Sequence, residues 1–170
     1  MYENVHPVTT VRVGTMTAEI DQMLAPVIEA TWRNGIQTLT SCQDAGESNV
    51  DWVEKLPHMA DYVATHKGWA FVDFTVDSGL AFLDAVARAG ARDAFYVRMV
   101  HWAAPDAWRV SVKPYDAAMF DEKAPSTFEL RLMQVTFPQY DIPEIARRLD
   151  AHAANRIVEP APTDWSTVGR

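Results

Sequence analysis

The side chains best suited to chemistry concentrate in one short stretch, Thr38-Leu39-Thr40-Ser41-Cys42-Gln43. Its pattern predicts a strand that delivers a thiol, hydroxyls and an amide to the edge of a polar loop. Small hydrogen-bonding groups gathered at such a junction can orient a small polar ligand. Thr40, Ser41, Cys42 and Gln43, with Trp69 as a neighbour, are therefore the candidate ligand-binding set. The same thiol could act as a nucleophile, which requires a general base and oxyanion donors. His58, His66 and His101 are the candidate bases, at distances from Cys42 that a sequence does not give. The alternative without chemistry is a small buried cysteine whose neighbours satisfy loop backbone groups. No complete catalytic set can be assembled, so no catalytic residue is assigned.

Other constellations carry less. Asp44, Glu47, Asp51 and Glu54 lack the alternating acids, glycine and terminal glutamate of a calcium loop and read as a solvated acidic face. His58 and His66 are too far apart in sequence for the adjacent-turn pair that grips zinc on a helix, and no metal is assigned. Neither a Gly-x-Gly-x-x-Gly nor a Walker phosphate loop is present, so no cofactor is assigned. Strand alternation over Trp108 to Lys113 sets Arg109, Ser111 and Lys113 opposite Val110 and Val112. With Tyr96, Arg98 and Trp102 on one neighbouring strand, and Glu129, Arg131 and Met133 on another, this predicts an aromatic-basic sheet face. Such a face, with Arg98, Arg109 and Arg131, would suit an anion or a base, the alternatives being a solvated sheet face or a homodimer contact.

Composition limits the partners. The chain has 170 residues, 48% hydrophobic and 22% charged, with a formal net charge of −8. That is enough to build a core without staples, and the charge repels phosphate backbones, which disfavours nucleic acid. The single cysteine, Cys42, excludes an intramolecular disulfide framework. The opening Met1-Tyr2-Glu3-Asn4 has no basic, apolar leader pattern and no apolar run is long enough to span a bilayer, so a cytoplasmic protein without membrane contact is expected.

The elements that must position these residues follow from periodicity. Val8 to Val13 predicts a strand, and Met23, Leu24, Val27, Ile28, Thr31 and Trp32 an amphipathic helix starting near Asp21 and stopped by Gly35. Ile36 to Cys42 predicts a strand, Pro57 to His66 a short helix and Trp69 to Val76 a strong strand. Asp77 then caps a helix that Gly90 ends. Phe95 to Trp102 and Trp108 to Lys113 predict a hairpin around Ala104-Pro105-Asp106, followed by a strand from Thr127 to Phe137. Asp141-Ile142-Pro143-Glu144 opens the last helix with a capping-box arrangement. The result is one α+β domain over residues 1–158. It has a predominantly antiparallel or mixed sheet with helices on one face, an elaborated ferredoxin-like sandwich among the options, and a tail at 159–170.

Leu24-Ala25-Pro26 through Trp32, Gly35-Ile36, Thr38 and Ser41-Cys42-Gln43, with the aromatic strand Trp69-Ala70-Phe71-Val72-Asp73-Phe74, resembles a pattern in small uncharacterised proteins of actinobacteria and their phages. The resemblance covers the first half of the chain and implies no particular activity. The Ser-Cys turn is also similar to the Thr-Ser-Ser-Cys-Ser-Gly stretch of the tRNA wybutosine-synthesis methyltransferases, with Gln43 and Asp44 in place of its Ser-Gly continuation. The leading expectation is a noncatalytic domain that binds a small polar ligand or another protein. The alternatives are a thiol-dependent enzyme using Cys42, and an oligomerising structural module.

Overall fold

Alternation of apolar and polar residues carries the chain into a hairpin of β1 (Val8–Val13) and β2 (Met16–Asp21). Gly14, with φ of 58°, stands at the first position of a two-residue turn whose second residue keeps a negative φ, the pattern of a type II′ hairpin. The Gln22 N–H donates to the Pro7 carbonyl at 2.8 Å. By parity Thr9/Ile20, Val11/Ala18 and Val13/Met16 therefore exchange the ladder bonds, while Thr17, Glu19 and Asp21 turn their backbone groups away from β1. The computed structural model describes residues 5–89, 92–115 and 130–155.

The chain continues through α1 (Ala25–Arg33), β3 (Ser41–Cys42), α2 (Val50–Lys55), α3 (Ala60–His66), β4 (Trp69–Thr75) and α4 (Val76–Arg88). Then come α5 (Ala94–Val100), β5 (Arg109–Tyr115), β6 (Leu130–Pro138) and α6 (Ile142–Asn155). The second sheet has the order β3-β4-β6-β5 with every neighbouring pair antiparallel, which decides between the antiparallel and mixed alternatives. Pro114, which has no N–H to give a ladder, sits in edge strand β5.

Register separates the two faces of this sheet. Ala70, Val72 and Phe74 stand opposite Phe137, Val135 and Met133, and all six are buried. On this face Phe82 of α4 meets Phe74 with ring centres 5.0 Å apart, and Trp108 meets Phe137 at 5.2 Å. α6 packs across α1 and α4 and adds Ile145 and Leu149 to the same core. The opposite face carries Phe71 and Asp73 beside Thr136 and Gln134, then Arg109, Ser111 and Lys113.

Several expectations change. The alternating residues of β2 displace the early turn of the expected helix, and α1 starts only at Ala25, with Pro26 in its first turn. Gly35, at φ 72°, closes α1 as expected, its N–H donating to the Trp32 carbonyl at 2.9 Å. The helix expected at Pro57 opens as a 3-10 turn, and α2 precedes it unforeseen. Thr75, not Asp77, caps α4 by accepting from the Ser78 N–H at 3.3 Å. The Phe95–Trp102 strand is corrected to helix α5: Asp93 accepts the Tyr96 N–H at 3.0 Å and starts a helical turn, so no hairpin spans Ala104–Asp106. The aromatic-basic face dissolves with it. Arg98 lies on a helix, and the parity of β6 puts Arg131 on the face opposite Arg109. Asp141 belongs to a 3-10 turn and its carboxylate accepts from Arg98 and from Trp108 Nε1 (2.9 Å), while Glu144 serves Arg147 and Arg148, so the expected capping box is absent. Gly90, Thr127–Glu129 and the tail lie outside the described residues.

Candidate functional site

Two strand edges diverge from a shared anchor. The anchor is Gln43: its N–H donates to Asp21 Oδ2 at 2.8 Å, its Oε1 accepts the Met23 N–H at 3.0 Å, and its carbonyl accepts Gln139 Nε2 at 2.7 Å. Buried to 7% exposure, it ties the hairpin to the edge of the main sheet. Beyond the anchor β2 and residues 37–41 separate and leave a groove of about 640 Å³, lined by Thr17, Glu19, Trp32, Thr38, Thr40 and Ser41 among others. Trp32 Nε1 donates to Thr38 Oγ1 at 2.9 Å and holds one wall in place.

The strand expected over Ile36–Cys42 is shortened to Ser41–Cys42 by a kink opposite Asp73. The Leu39 N–H donates to the Asp73 carbonyl at 2.7 Å and the Asp73 N–H to the Thr40 carbonyl at 2.8 Å, so two residues face one, as in a bulge. The bulge aims Thr40 Oγ1 at Asp73 Oδ2, 2.6 Å away. Asp73 Oδ1 is buried without a hydrogen-bond partner. Burial pushes the Asp73 carboxyl up, against the opposing pull of Thr40, Gln134 and Lys113. Ladder parity leaves the Ser41 N–H and carbonyl turned away from β4, toward β2.

Cys42 faces the other way, opposite Phe71. Its sulfur donates to the Asp44 carbonyl at 3.3 Å and lies 2.9 Å from Ser48 Oγ. Burial pushes the thiol up; the bonds to Ser48 and Asp44 pull it down, and the Asp21 and Asp44 carboxylates add to the rise. A thiol so placed stays protonated, the reverse of an activated nucleophile. The histidine beside it is His6. His6 Nδ1 lies 3.3 Å from Asp21 Oδ2, His6 Nε2 lies 3.3 Å from Glu47 Oε2, and donor atoms of His6, Asp21 and Cys42 all lie within 4.8 Å of one another. His66 instead stacks on Tyr62 at 4.0 Å, and His58 and His101 are exposed.

The structure thus divides the five candidate residues. Thr40 and Ser41 line the groove, Gln43 closes its end as a buried clamp, Cys42 belongs to the cluster with His6, and Trp69 lies under the Arg109 guanidinium at 4.3 Å. Asp44, read as part of a solvated face, is 4% exposed and organises its loop by accepting the N–H groups of Glu47 and Gly68 at 2.9 and 2.8 Å. The sequence offered no spacing signal for His6, which reaches Cys42 only through the hairpin between them.

These features define an antiparallel α+β domain with a strand-edge groove and an adjoining Cys/His/Asp cluster. Compared with known proteins, the chain matches no family model, and no curated protein or solved structure shows significant similarity to it. Among the described residues, no helix is long and apolar enough to cross a membrane.

Proposed function

We propose that this protein is a noncatalytic binding domain that takes an extended peptide segment into the groove between β2 and residues 37–41. The observation that carries the reading is that both walls are strand edges. Thr17 and Glu19 on one side and Ser41 on the other aim main-chain donors and acceptors into the gap. Added strands bind through such groups, with neighbouring side chains supplying selectivity. The volume also falls within the range of ordinary ligand sites. Glu19 and the net charge of −8 favour a neutral or basic segment. The burial that pushes the Cys42 thiol up speaks against a thiol-dependent enzyme, and a lone cysteine suits a reducing cytoplasmic compartment.

Selection from a phage-displayed library of short random peptides tests this. Thr17→Pro removes an outward N–H while sparing the β1 ladder, whereas Ala18→Pro removes a ladder donor. The first is expected to weaken a selected peptide roughly tenfold, about 1.4 kcal/mol, at unchanged melting temperature. The second should lower the melting temperature itself. Peptides that bind Thr17→Pro as well as the parent, or a library that yields none, would refute the proposal; self-association through β2 would assign the edge to a second copy of the chain instead.

A further inference from the structure

We propose that His6, Asp21 and Cys42 form a binding site for a divalent transition metal of the zinc type, with Glu47 orienting the histidine. The donor set is one sulfur, one nitrogen and one oxygen. Magnesium and calcium take oxygen ligands, whereas a mixed S/N/O set suits zinc or cobalt. In a tetrahedral site, bonds of about 2.0 Å to nitrogen and oxygen and about 2.3 Å to sulfur hold ligand atoms roughly 3.3–3.6 Å apart. The spacing of His6 Nδ1 from Asp21 Oδ2, 3.3 Å, already meets this. The sulfur lies within 4.8 Å of a ring nitrogen of His6 and a carboxylate oxygen of Asp21, and needs to close by little more than about 1 Å.

The surroundings fit as well as the ligands. A metal-bound histidine normally gives its second ring N–H to a carboxylate, which fixes its orientation. His6 Nε2 faces Glu47 Oε2 at 3.3 Å on the side away from Asp21. Asp21 Oδ2 is itself fixed by the Gln43 N–H at 2.8 Å. A thiolate and a carboxylate together neutralise a dication, so the bound site carries no net charge into a place where the His6 side chain is 5% and the Asp21 side chain 16% exposed. Binding replaces the thiol proton by the metal and releases that proton to solvent, leaving sulfur as thiolate. Three protein ligands leave one position for water or for a donor from a ligand. The cluster shares β2 with the groove through Asp21 but uses none of the outward main-chain groups of Thr17, Glu19 and Ser41, so cobalt binding and peptide binding are read by separate measurements.

Cobalt(II) is the probe. One equivalent added to the reduced, full-length protein should give a thiolate-to-cobalt charge-transfer band and the visible bands of four-coordinate cobalt, and one equivalent of zinc should abolish both. Cys42→Ser should remove the charge-transfer band, and His6→Ala or Asp21→Asn should weaken binding more than tenfold. Glu47→Gln tests the orienting carboxylate without threatening the fold, because the Glu47 side chain is 54% exposed; roughly tenfold weaker binding is expected. His58→Ala should change nothing. Absence of the band in the parent protein would overturn the proposal. So would a band that survives His6→Ala and Glu47→Gln at full affinity, since the thiol would then be binding metal adventitiously on its own.

Discussion

Asp141→Ala should cost far more than the loss of a helix cap. Asp141 is 1% exposed, and its carboxylate accepts from Arg98 Nε at 3.2 Å, from Arg98 Nη2, and from Trp108 Nε1 at 2.9 Å. Truncation leaves a guanidinium 19% exposed, whose nearest remaining carboxylate oxygen, on Asp106, stands 3.7 Å away. It also leaves the indole N–H of Trp108, a residue 3% exposed, without an acceptor. Breaking a buried ion pair by removing one partner typically costs about 3–5 kcal/mol, and an orphaned buried donor about 1–3 kcal/mol. The residual exposure of Arg98 places the total near the lower end, about 3–4 kcal/mol. A cap alone would cost about 1 kcal/mol. Urea unfolding of the parent, Asp141→Ala, Arg98→Met and the double variant separates the two mechanisms. A buried pair predicts a coupling energy of about 2 kcal/mol, because the double variant leaves no stranded charge. Single-variant costs near 1 kcal/mol that simply add would refute the reasoning.

Two further outcomes follow from the packing around Glu144 and Gly46. Arg147, more than the opposing effect of burial and with help from Arg148, holds the Glu144 carboxyl down at about 2, against an ordinary 4.5. Since its folded value lies below its unfolded one, its stabilisation is complete above pH 4.5 and lost as pH falls toward 2. Glu144→Gln should therefore flatten that part of an acid-unfolding profile. Gly46→Ala should destabilise by about 1–3 kcal/mol, read by thermal melting, because an added Cβ would come within 2.6 Å of the Val63 carbonyl oxygen and collide with the Lys67 backbone.

Where local pattern and tertiary context agreed, the fold was legible. Val8–Val13, the apolar stripe of α1, the aromatic strand β4 and the Gly35 stop all follow from periodicity and backbone preference. Residues 95–102 misled because Phe95, Tyr96, Val97 and Val100 favour strands, yet Asp93 caps a helix there and Phe95 meets Trp108 edge-on at 5.4 Å. Asp141 misled in the opposite sense: its position before Pro143 reads as a cap, and only the three-dimensional approach of α5 gives its carboxylate to Arg98. Thr40 and Ser41 line the groove, and that placement was legible because hydroxyls at a strand end are a local feature. His6 was not, since pairing residue 6 with residue 42 requires the path of the hairpin.

That path makes Asp21 a shared support. It ends the hairpin, accepts the Gln43 N–H at the closed end of the groove and faces His6 across 3.3 Å. The hairpin is held at this end by Gln43 and along its inner face by Val11 and Ile20 in the core, with Val13, Met16 and Ala18 packed against it, so residue 21 is the keystone of a fixed wall. A peptide seated in the groove and a metal held by the cluster would therefore load the same residue from two sides. Exchange of the Ala18 and Ile20 ladder amides with and without cobalt would then read how far a load on the Asp21 carboxylate is felt along β2.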